Sequence, residues 1–300
     1  MNLVTITGRE LWVWRRWAVS MAKTHEVNQR EVDWLLKSVA NLDSLTLRLE
    51  SIADDQSIEI SMPLDQLSQL WIDRVEQRKP VQYLLGTAFW RDFELVVSPA
   101  VLIPRPETES IIDIALAVST KIQQQGIWVD LGTGSGAIAI GLAKTLPMAE
   151  IFAVDTSAAA LDIAKINATR LNVLSQINFS QGNWWSSLVQ LKGKVAGMIS
   201  NPPYIPSIEV LRLQPEVANH EPHLALDGGL DGLDGIRILV DTAPEYLQPG
   251  GLWLIEMMAG QGAAVVELLE QQGSYADIEI IDDLAGLDRF VLARLRPSVH

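Results

Sequence analysis

The chain of 300 residues contains no cysteine and has few histidine and basic residues. Without thiols it has no disulfide, no thiolate metal ligand and no cysteine nucleophile, as suits a protein of the reducing cytoplasm. Its four histidines are too scattered to indicate a metal site: His25, His220, His223 and His300. Lys and Arg number 23 against 37 Asp and Glu, a net charge of −14. This charge disfavours a nucleic-acid binder, which needs a basic face, and suits a basic protein partner better.

Long apolar runs without charges are also missing from the sequence. Near the N-terminus, Trp12, Trp14 and Trp17 stand beside Arg15 and Arg16, which interrupt any signal-like or membrane-spanning segment. Hydrophobic residues nevertheless make up 48% of the chain, enough for a sizeable core. A chain of this length has room for two modest domains. We therefore expect a globular cytoplasmic protein, and a monomer.

Residues 1–78 are predicted to form a small helical domain. The spacings Thr7 to Glu10 and Asn28 to Glu31 are those of capping boxes. Four residues after the second predicted cap form one apolar helical stripe: Val32, Leu35, Leu36 and Val39. Pro63 suits the first turn of a further helix that carries Leu67, Leu70, Trp71 and Val75. The tryptophans of this region are expected in the domain core rather than in a ligand platform.

Residues 79–105 are predicted to be a β-hairpin linker, with one strand over 83–86 and another over 89–97. From 106 to 296, apolar runs and helical patterns alternate, which predicts a mostly parallel sheet covered by helices. The strands are expected near 127–131, 150–154, 176–180, 195–200, 251–257, 276–281 and 289–294, and the helices near 107–124, 136–146, 157–171, 234–247 and 260–271. In such α/β folds the ligand lies beyond the carboxyl ends of the strands.

A glycine-rich loop follows the first of these strands. It comprises Gly132, Thr133, Gly134, Ser135 and Gly136, and a helix start follows directly. Such a loop lets a ligand approach the backbone closely. The alternation G-x-G-x-G differs from the G-x-G-x-x-G of dinucleotide folds. The preceding Asp130 suits the positively charged amino acid end of S-adenosylmethionine and would repel a pyrophosphate.

The next two strands also end in polar or aromatic residues. Asp155 is placed to accept both ribose hydroxyls of a nucleoside, or else to cap the helix that begins near Ser157. Asn183 and Trp184 follow the third strand, where they can bind and cover an adenine. For Trp184 and Trp185, plain packing in the core is the alternative.

The tetrapeptide Asn201-Pro202-Pro203-Tyr204 ends the apolar run 195–200. The Asn201 side-chain oxygen and the Pro202 carbonyl can together accept both N–H groups of an amide or amine. Prolines hold those acceptors in place, and Tyr204 can stack on a planar acceptor group. No strong base is needed, because nitrogen becomes acidic once it is alkylated. This pattern indicates methyl transfer from S-adenosylmethionine to nitrogen, unless the prolines only stiffen a strand exit.

Other functions fit parts of this pattern. The same tetrapeptide serves adenine-N6 methylation of nucleic acid, which the net charge of −14 disfavours. A non-catalytic module that scaffolds a translation complex is disfavoured by the intact Asn201 and the intact glycine loop. A dinucleotide oxidoreductase is disfavoured by the glycine spacing and by Asp130.

Over nearly its whole length the chain resembles the release factor glutamine methyltransferases, the protein-(glutamine-N5) methyltransferase family. The motifs that carry the resemblance are Pro80–Gly86, Val101–Glu109, Asp130–Gly136, Asn201–Tyr204, Glu221–Pro222 and Ala225–Leu233. Two positions depart from the family pattern: Asn183 replaces an acid, and Met257 and Met258 follow Glu256 where His or Ile and then Gly are frequent.

The resemblance implies a seven-stranded, Rossmann-like methyltransferase fold that acts on the glutamine of Gly-Gly-Gln in peptide chain release factors. It implies that S-adenosylmethionine contacts Gly132 to Gly136, Asp155, Trp184 and Asn201, and that the substrate glutamine contacts Asn201, Pro202, Pro203 and Tyr204. The helical N-terminal domain would help to dock the release factor. Arg105, Glu107 and Glu109 belong to the family signature, but their chemistry suggests no catalytic role.

Overall fold

The computed structural model describes residues 3–297, which form two compact units. The first unit comprises the chain up to Gly86 together with Pro215–His220. The second comprises Thr87–Gln214 and the chain from Glu221 onward. The first unit therefore takes a short segment from the middle of the second. The predicted division into 1–78, 79–105 and 106–296 stays a prediction.

The first unit is mainly helical, as expected. Its helices are α1 (Gly8–Thr24), α2 (Arg30–Ala40), α3 (Ser44–Leu49), α4 (Leu64–Glu76) and α5 (Val81–Leu85). Its core holds the predicted α2 stripe, and Trp12, Trp14 and Trp71 are buried there, whereas Trp17 is 37% exposed. A two-stranded antiparallel sheet of β1 (Val4–Thr7) and β2 (Ser57–Ile60), which the sequence did not predict, completes this unit.

Two local expectations for this unit have different outcomes. The capping box at the start of α1 is confirmed, because Thr7 and Glu10 satisfy each other's backbone N–H groups. The capping box predicted from Asn28 to Glu31 is wrong. The Asn28 side chain accepts instead from the Arg30 N–H, and the carboxylate of Glu31 binds the guanidinium of Arg74.

An ion-pair cluster joins the inserted segment to the rest of the first unit. The Arg74 side chain is only 5% exposed and donates to Glu31 and to Glu216, the latter at 2.9 Å. Arg78 donates to the same Glu216 at 2.8 Å. Because a buried guanidinium is costly without partners, Glu216 is needed to neutralise the interior of this unit.

The second unit contains a mixed sheet that has seven strands within residues 3–297, in the order β10-β11-β9-β8-β5-β6-β7. Its strands are β5 (Ile127–Leu131), β6 (Glu150–Asp155), β7 (Ile177–Gln181), β8 (Val195–Ser200), β9 (Leu247–Glu256), β10 (Tyr275–Asp282) and β11 (Asp288–Leu295). All seven lie where the sequence predicted strands. β5 to β9 pair in parallel, and β11 is antiparallel to β9 and β10.

Helices cover both faces of this sheet: α6 (Ser110–Val118), α7 (Ala137–Thr145), α8 (Ala158–Arg170), α9 (Asp234–Thr242) and α10 (Gly262–Gln272). One hydrophobic cluster includes residues of α6 and α7, and another includes residues of α9 and α10. The helix predicted over 107–124 ends at Val118. Ser119 is extended, and the Thr120 N–H donates to the Gln123 side chain instead of continuing the helix.

A hairpin forms from β3 (Thr87–Trp90) and β4 (Phe93–Val96), but its turn at Arg91 and Asp92 divides the single strand that was predicted over 89–97. The strand predicted over 83–86 is wrong, because Val81–Leu85 is the helix α5 and Gly86 ends it in the left-handed conformation. Three hairpin side chains, Trp90, Phe93 and Leu95, lie in the core of the second unit. The hairpin thus packs as part of that unit.

Among residues 3–297, no helix is long and apolar enough to cross a membrane.

Candidate functional site

The strand order of the sheet reverses between β5 and β8. These two strands are parallel neighbours, and Leu131 at the end of β5 pairs with Ser200 at the end of β8. The glycine loop starts at the residue after Leu131, and Asn201 is the residue after Ser200. The two motifs that the sequence singled out therefore leave the sheet side by side, at the crevice where ligands of open α/β sheets bind.

The glycine loop turns through three residues in the left-handed region. The φ angles of Gly132, Gly134 and Gly136 are +80°, +52° and +84°. A Cβ on Gly134 would have no other heavy atom within 4 Å, so a ligand can approach its backbone closely. Gly136 faces the other way, where a Cβ would stand 3.1 Å from the Cβ of Ala164. Gly132 to Ser135 line the cavity, whereas Gly136 packs the loop onto α8.

Asp130 supports this loop from below. Its side chain is fully buried, and its Oδ2 accepts from the Thr133 hydroxyl at 2.6 Å and from the Ala139 N–H at 3.1 Å. The expectation that Asp130 meets the charged end of a ligand is therefore wrong, because this carboxyl lies behind the cavity wall. Burial raises the pKa of Asp130 to about 7, and the hydrogen bonds from Thr133 and Ala139 oppose this shift.

The raised pKa of Asp130 predicts a pH-dependent stability. The carboxyl holds its proton more tightly in the native state than in the unfolded chain, where its pKa is near 3.8. Its contribution to the free energy of unfolding is complete below pH ~4 and is lost as the pH rises to about 7. We expect Asp130→Asn to weaken the fall in stability between about pH 4 and pH 7, measured by urea denaturation. The exposed Asp162→Asn serves as control, and equal slopes for Asp130→Asn and the wild type would contradict this.

Asp155, at the end of β6, closes the other side of the loop. Its Oδ2 accepts from the Gly134 N–H at 2.9 Å, and its Oδ1 accepts from the Ser157 N–H at 2.9 Å. Asp155 thus supports the start of α8, where Ser157 is the N-cap, and it also lines the cavity, whereas its role toward ribose hydroxyls stays a prediction. Each carboxylate oxygen keeps a lone pair for a further donor.

Trp184 and Trp185 have different environments. Trp184 lines the cavity and has a φ of +50°, which is rare for a bulky residue. Its ring would lie 3.2 Å from a Cβ on Gly235. Trp185 is buried and stacks on Tyr246 with 4.3 Å between ring centroids, so for Trp185 the packing interpretation holds. Asn183 also lines the cavity.

The tetrapeptide Asn201–Tyr204 is divided between the cavity and the core. Asn201 and Pro203 line the cavity, and Pro202 is buried. The Asn201 side-chain amide donates to the Thr108 hydroxyl at 3.3 Å, which leaves the Asn201 Oδ1 as an acceptor. Tyr204 points inward and donates from its hydroxyl to Glu256 at 3.0 Å.

Several residues that sequence reasoning left without a role hold the cavity wall. Arg105 lines the cavity and donates to the buried Glu221 at 2.7 Å, and Glu221 also accepts from the Ile103 N–H. Glu109 accepts from the Arg91 N–H in the hairpin turn. Arg105 and Glu109 therefore act by holding neighbouring parts of the chain in position. Thr108 and Glu256 were missed as site residues, although Glu256 shares with Asp130 and Asp155 the signal of an acid that ends or nearly ends an apolar strand.

Burial also controls the protonation of Tyr204 and Glu256. It raises the pKa of Glu256 to about 7, with Thr108, Tyr204 and Arg289 acting in the opposite direction and Glu107 in the same one. Burial and the neighbouring Glu256 raise the pKa of Tyr204 well above its ordinary value of 10.0. Tyr204 is therefore a neutral phenol at physiological pH and does not act as a base.

The cavity of the second unit has a volume of about 270 Å³. One wall is the glycine loop, Asp155 and Trp184, and another holds Asn201. An open backbone at Gly134, a carboxylate with spare lone pairs and an aromatic face are what a nucleoside-bearing ligand requires. The residues present therefore fit S-adenosylmethionine.

A seven-stranded sheet of this order, with a cavity that fits S-adenosylmethionine, identifies the chain as an S-adenosylmethionine-dependent methyltransferase. A family model described as "Methyltransferase small domain" matches residues 113–230. Release factor glutamine methyltransferases of Synechocystis sp. and Thermosynechococcus vestitus are 50% and 47% identical to the chain over 297 and 291 residues, and these stretches cover 98% and 96% of this chain and 99% of each relative. The chain belongs to the release factor glutamine methyltransferase family.

Solved structures show the same fold at low sequence identity. The catalytic domain of hMettl16, in complex with MAT2A 3'UTR hairpin 6, has a TM-score of 0.53 at 14% identity, covering 77% of this chain and 80% of that one. A methyltransferase from Pyrococcus furiosus has a TM-score of 0.50 at 15% identity, covering 78% and 98%. These likenesses concern the fold alone.

Proposed function

We propose that this protein transfers a methyl group from S-adenosylmethionine to the N5 side-chain amide nitrogen of the glutamine in the Gly-Gly-Gln motif of peptide chain release factors. The observation that carries the proposal is the position of the Asn201 acceptor oxygen, in the cavity and beside the glycine loop. Relatives at 50% and 47% identity carry the name of this activity.

The cofactor is held by the loop and by three side chains around it. Gly132, Thr133, Gly134 and Ser135 offer backbone to the ligand, and Gly136 fixes the loop against α8. Asp155 accepts from the ribose hydroxyls, Trp184 covers the adenine, and Asn201 contacts the end that carries the methyl group. S-adenosylmethionine supplies an electrophilic methyl carbon on a sulfonium.

The acceptor amide is held by the tetrapeptide. The Asn201 side-chain oxygen and the Pro202 carbonyl accept its two N–H groups, which directs the nitrogen lone pair out of the amide plane. Pro202 and Pro203 fix this backbone, so the acceptors are preorganised. Tyr204 gives the planar acceptor group a ring face. Because Tyr204 stays protonated, the released proton leaves to water after the nitrogen is alkylated.

The function is tested by incubating the purified protein with S-adenosylmethionine and an unmodified release factor, followed by tandem mass spectrometry. We expect a single added methyl on the glutamine of Gly-Gly-Gln. A release factor with Gly-Gly-Glu in that place serves as control and should remain unmodified. No transfer by a protein that binds the cofactor, or a methyl elsewhere, would contradict the proposal.

The partner is proposed to be the release factor alone, with no nucleic acid bound directly by this chain. The net charge of −14 supports this, because a nucleic-acid surface repels such a protein. The first unit is proposed to dock the release factor, and the exposed Val13 and Trp17 on one face of α1 offer apolar contact area for it. The protein is proposed to act as a monomer in the cytoplasm.

The role of Asp155 predicts a loss of cofactor affinity. Asp155→Ala removes hydrogen bonds to a charged acceptor, and for a total loss of about 1.5–3 kcal/mol we expect ~10- to 150-fold weaker S-adenosylmethionine binding by calorimetry. A 2′-deoxyribose analogue of S-adenosylhomocysteine should bind the wild type more weakly than the parent compound but show little such difference in Asp155→Ala. The exposed Asp162→Ala is the matched control. Unchanged affinity in Asp155→Ala would contradict the role.

A further inference from the structure

Glu256 ends the strand next to the one that ends before Asn201. Ser200 on β8 pairs with Ile255 on β9, so Asn201 and Glu256 leave the sheet as neighbours. The Glu256 side chain is fully buried. A carboxyl group in the core next to the reactive site is costly, because the interior disfavours both its charge and its unmet hydrogen bonds.

The carboxyl group of Glu256 holds one partner and leaves one oxygen free. Its Oε1 accepts from the Tyr204 hydroxyl at 3.0 Å. Its buried Oε2 has no hydrogen-bond partner among the described residues. The charged neighbours that act on it are Arg289 and Glu107, and Arg289 itself donates to Asp283 and to the Met257 carbonyl. No structural ion pair therefore accounts for Glu256 within residues 3–297; its hydrogen bond is with Tyr204, and the Thr108 hydroxyl is a second polar neighbour that favours its charge.

Tyr204 is fixed at two points. Its carbonyl oxygen accepts from the Gln261 side chain at 3.0 Å, which fixes the backbone. Its ring has the Glu256 hydrogen bond at its far end. The hydroxyl oxygen lies on the Cβ–Cγ axis of the side chain, so this hydrogen bond restricts rotation about the Cα–Cβ bond and fixes where the ring lies.

We propose that Glu256 is a positioning residue for methyl transfer: by accepting the Tyr204 hydroxyl it fixes the position of the Tyr204 ring, and through that ring the position of the acceptor amide beside Asn201. The inference rests on the proposed function. If the ring is displaced, the cofactor site stays intact but the amide nitrogen is no longer aligned with the methyl carbon. The variant therefore loses kcat rather than cofactor affinity.

Four variants separate this role from simple packing. Tyr204→Phe removes the donor, Glu256→Leu removes the acceptor, and the double variant removes both. Glu256→Gln keeps an acceptor oxygen of the same reach. Tyr275→Phe is the matched control, because the Tyr275 hydroxyl makes a similar buried bond to the Val240 carbonyl at 2.8 Å, at the amino-terminal edge of the sheet.

Steady-state kinetics with the release factor give the first readout. We expect Tyr204→Phe and Glu256→Leu each to lower kcat by ~10- to 100-fold, with KM for S-adenosylmethionine within about threefold of wild type. The double variant should be no slower than either single one, and Glu256→Gln should regain most of the lost kcat. Tyr275→Phe should leave kcat unchanged. The inference would be overturned if the losses in kcat multiplied in the double variant. It would also be overturned if Glu256→Gln were as slow as Glu256→Leu.

Urea denaturation of the same variants gives a second readout that does not depend on activity. The stability losses of Tyr204→Phe and Glu256→Leu should be non-additive, since each removes the same hydrogen bond. Additive losses would overturn the inference even in an active enzyme. Absence of methyl transfer by the wild type would instead overturn the proposed function. If Glu256→Leu does not fold, Glu256→Met, with a flexible side chain of similar length, replaces it in the kinetic and in the denaturation experiments.

Discussion

Replacing Asn201 by alanine is expected to lower the rate of methyl transfer by about 100- to 1,000-fold, while S-adenosylmethionine affinity stays within about tenfold of wild type. The reason is the hydrogen bond that the Asn201 side-chain oxygen is proposed to accept from the substrate amide. In the proposed function the Asn201 side-chain oxygen holds an N–H group of the substrate amide in the geometry of attack, and losing a preorganised polar contact of this kind typically costs 10²- to 10³-fold. The cofactor keeps its contacts with the glycine loop, Asp155 and Trp184.

The measurement for Asn201→Ala combines single-turnover methyl transfer with calorimetry of cofactor binding. Asn178→Ala is the matched control, because Asn178 is exposed on β7 and, among the described residues, its side chain bonds only the Glu150 side chain. A fully active Asn201→Ala would show that the tetrapeptide does not hold the amide. A variant that loses its fold would show that Asn201 is structural, which the single 3.3 Å bond to Thr108 does not suggest.

Gly232→Ala is expected to reduce both stability and turnover. Gly232 has a φ of +80°, and a Cβ there would stand 2.2 Å from the Tyr204 carbonyl oxygen and 2.7 Å from the Gln261 Nε2. The Gln261 hydrogen bond to Tyr204 must then break and the tetrapeptide must move. We expect a loss of about 3 kcal/mol in the free energy of unfolding, and a fall in kcat of ~100-fold, as for an ångström-scale displacement of reacting groups.

Gly286→Ala separates backbone strain from the clash at Gly232. Gly286 has a similar φ of +76°, but a Cβ there would meet no heavy atom within 4 Å. Gly286→Ala should therefore lose only about 1 kcal/mol, the cost of the left-handed conformation, and keep its kcat. Stability is measured by urea denaturation and kcat by methyl transfer. Equal losses in the two variants would mean that the contact of Gly232 with Tyr204 has no effect.

Much of the second unit could be predicted because its signals are local. The central strands β5, β6, β8 and β9 each contain an apolar run with a clear end, and the parallel order follows from the alternation with helices. The neighbouring positions of the glycine loop and Asn201 follow in turn, since parallel strands present their carboxyl ends at one edge. The roles proposed for these residues stay predictions.

The missed features depend on contacts distant in sequence. Strands β1 and β2 are four residues each and lie about 50 residues apart, so their pairing leaves little pattern in either segment. Tyr83 to Gly86 has a composition typical of a strand but begins after Pro80, which suits a helix start. Asp130 faces away from the ligand because the Thr133 hydroxyl and the Ala139 N–H lie on its buried side.

Glu216 pairs with Arg74 of the first unit although it lies far along the chain. This pairing determines how the chain can be divided or recombined. A fragment that stops at Gly86 lacks Pro215–His220 and leaves the buried Arg74 with Glu31 alone. An N-terminal fragment produced by itself therefore needs the Glu216 segment supplied as a peptide or through a linker. A chimaera with another family member likewise needs two exchanged segments. Recombination at a single crossover near residue 86 would pair Arg74 with a Glu216 segment from a different protein.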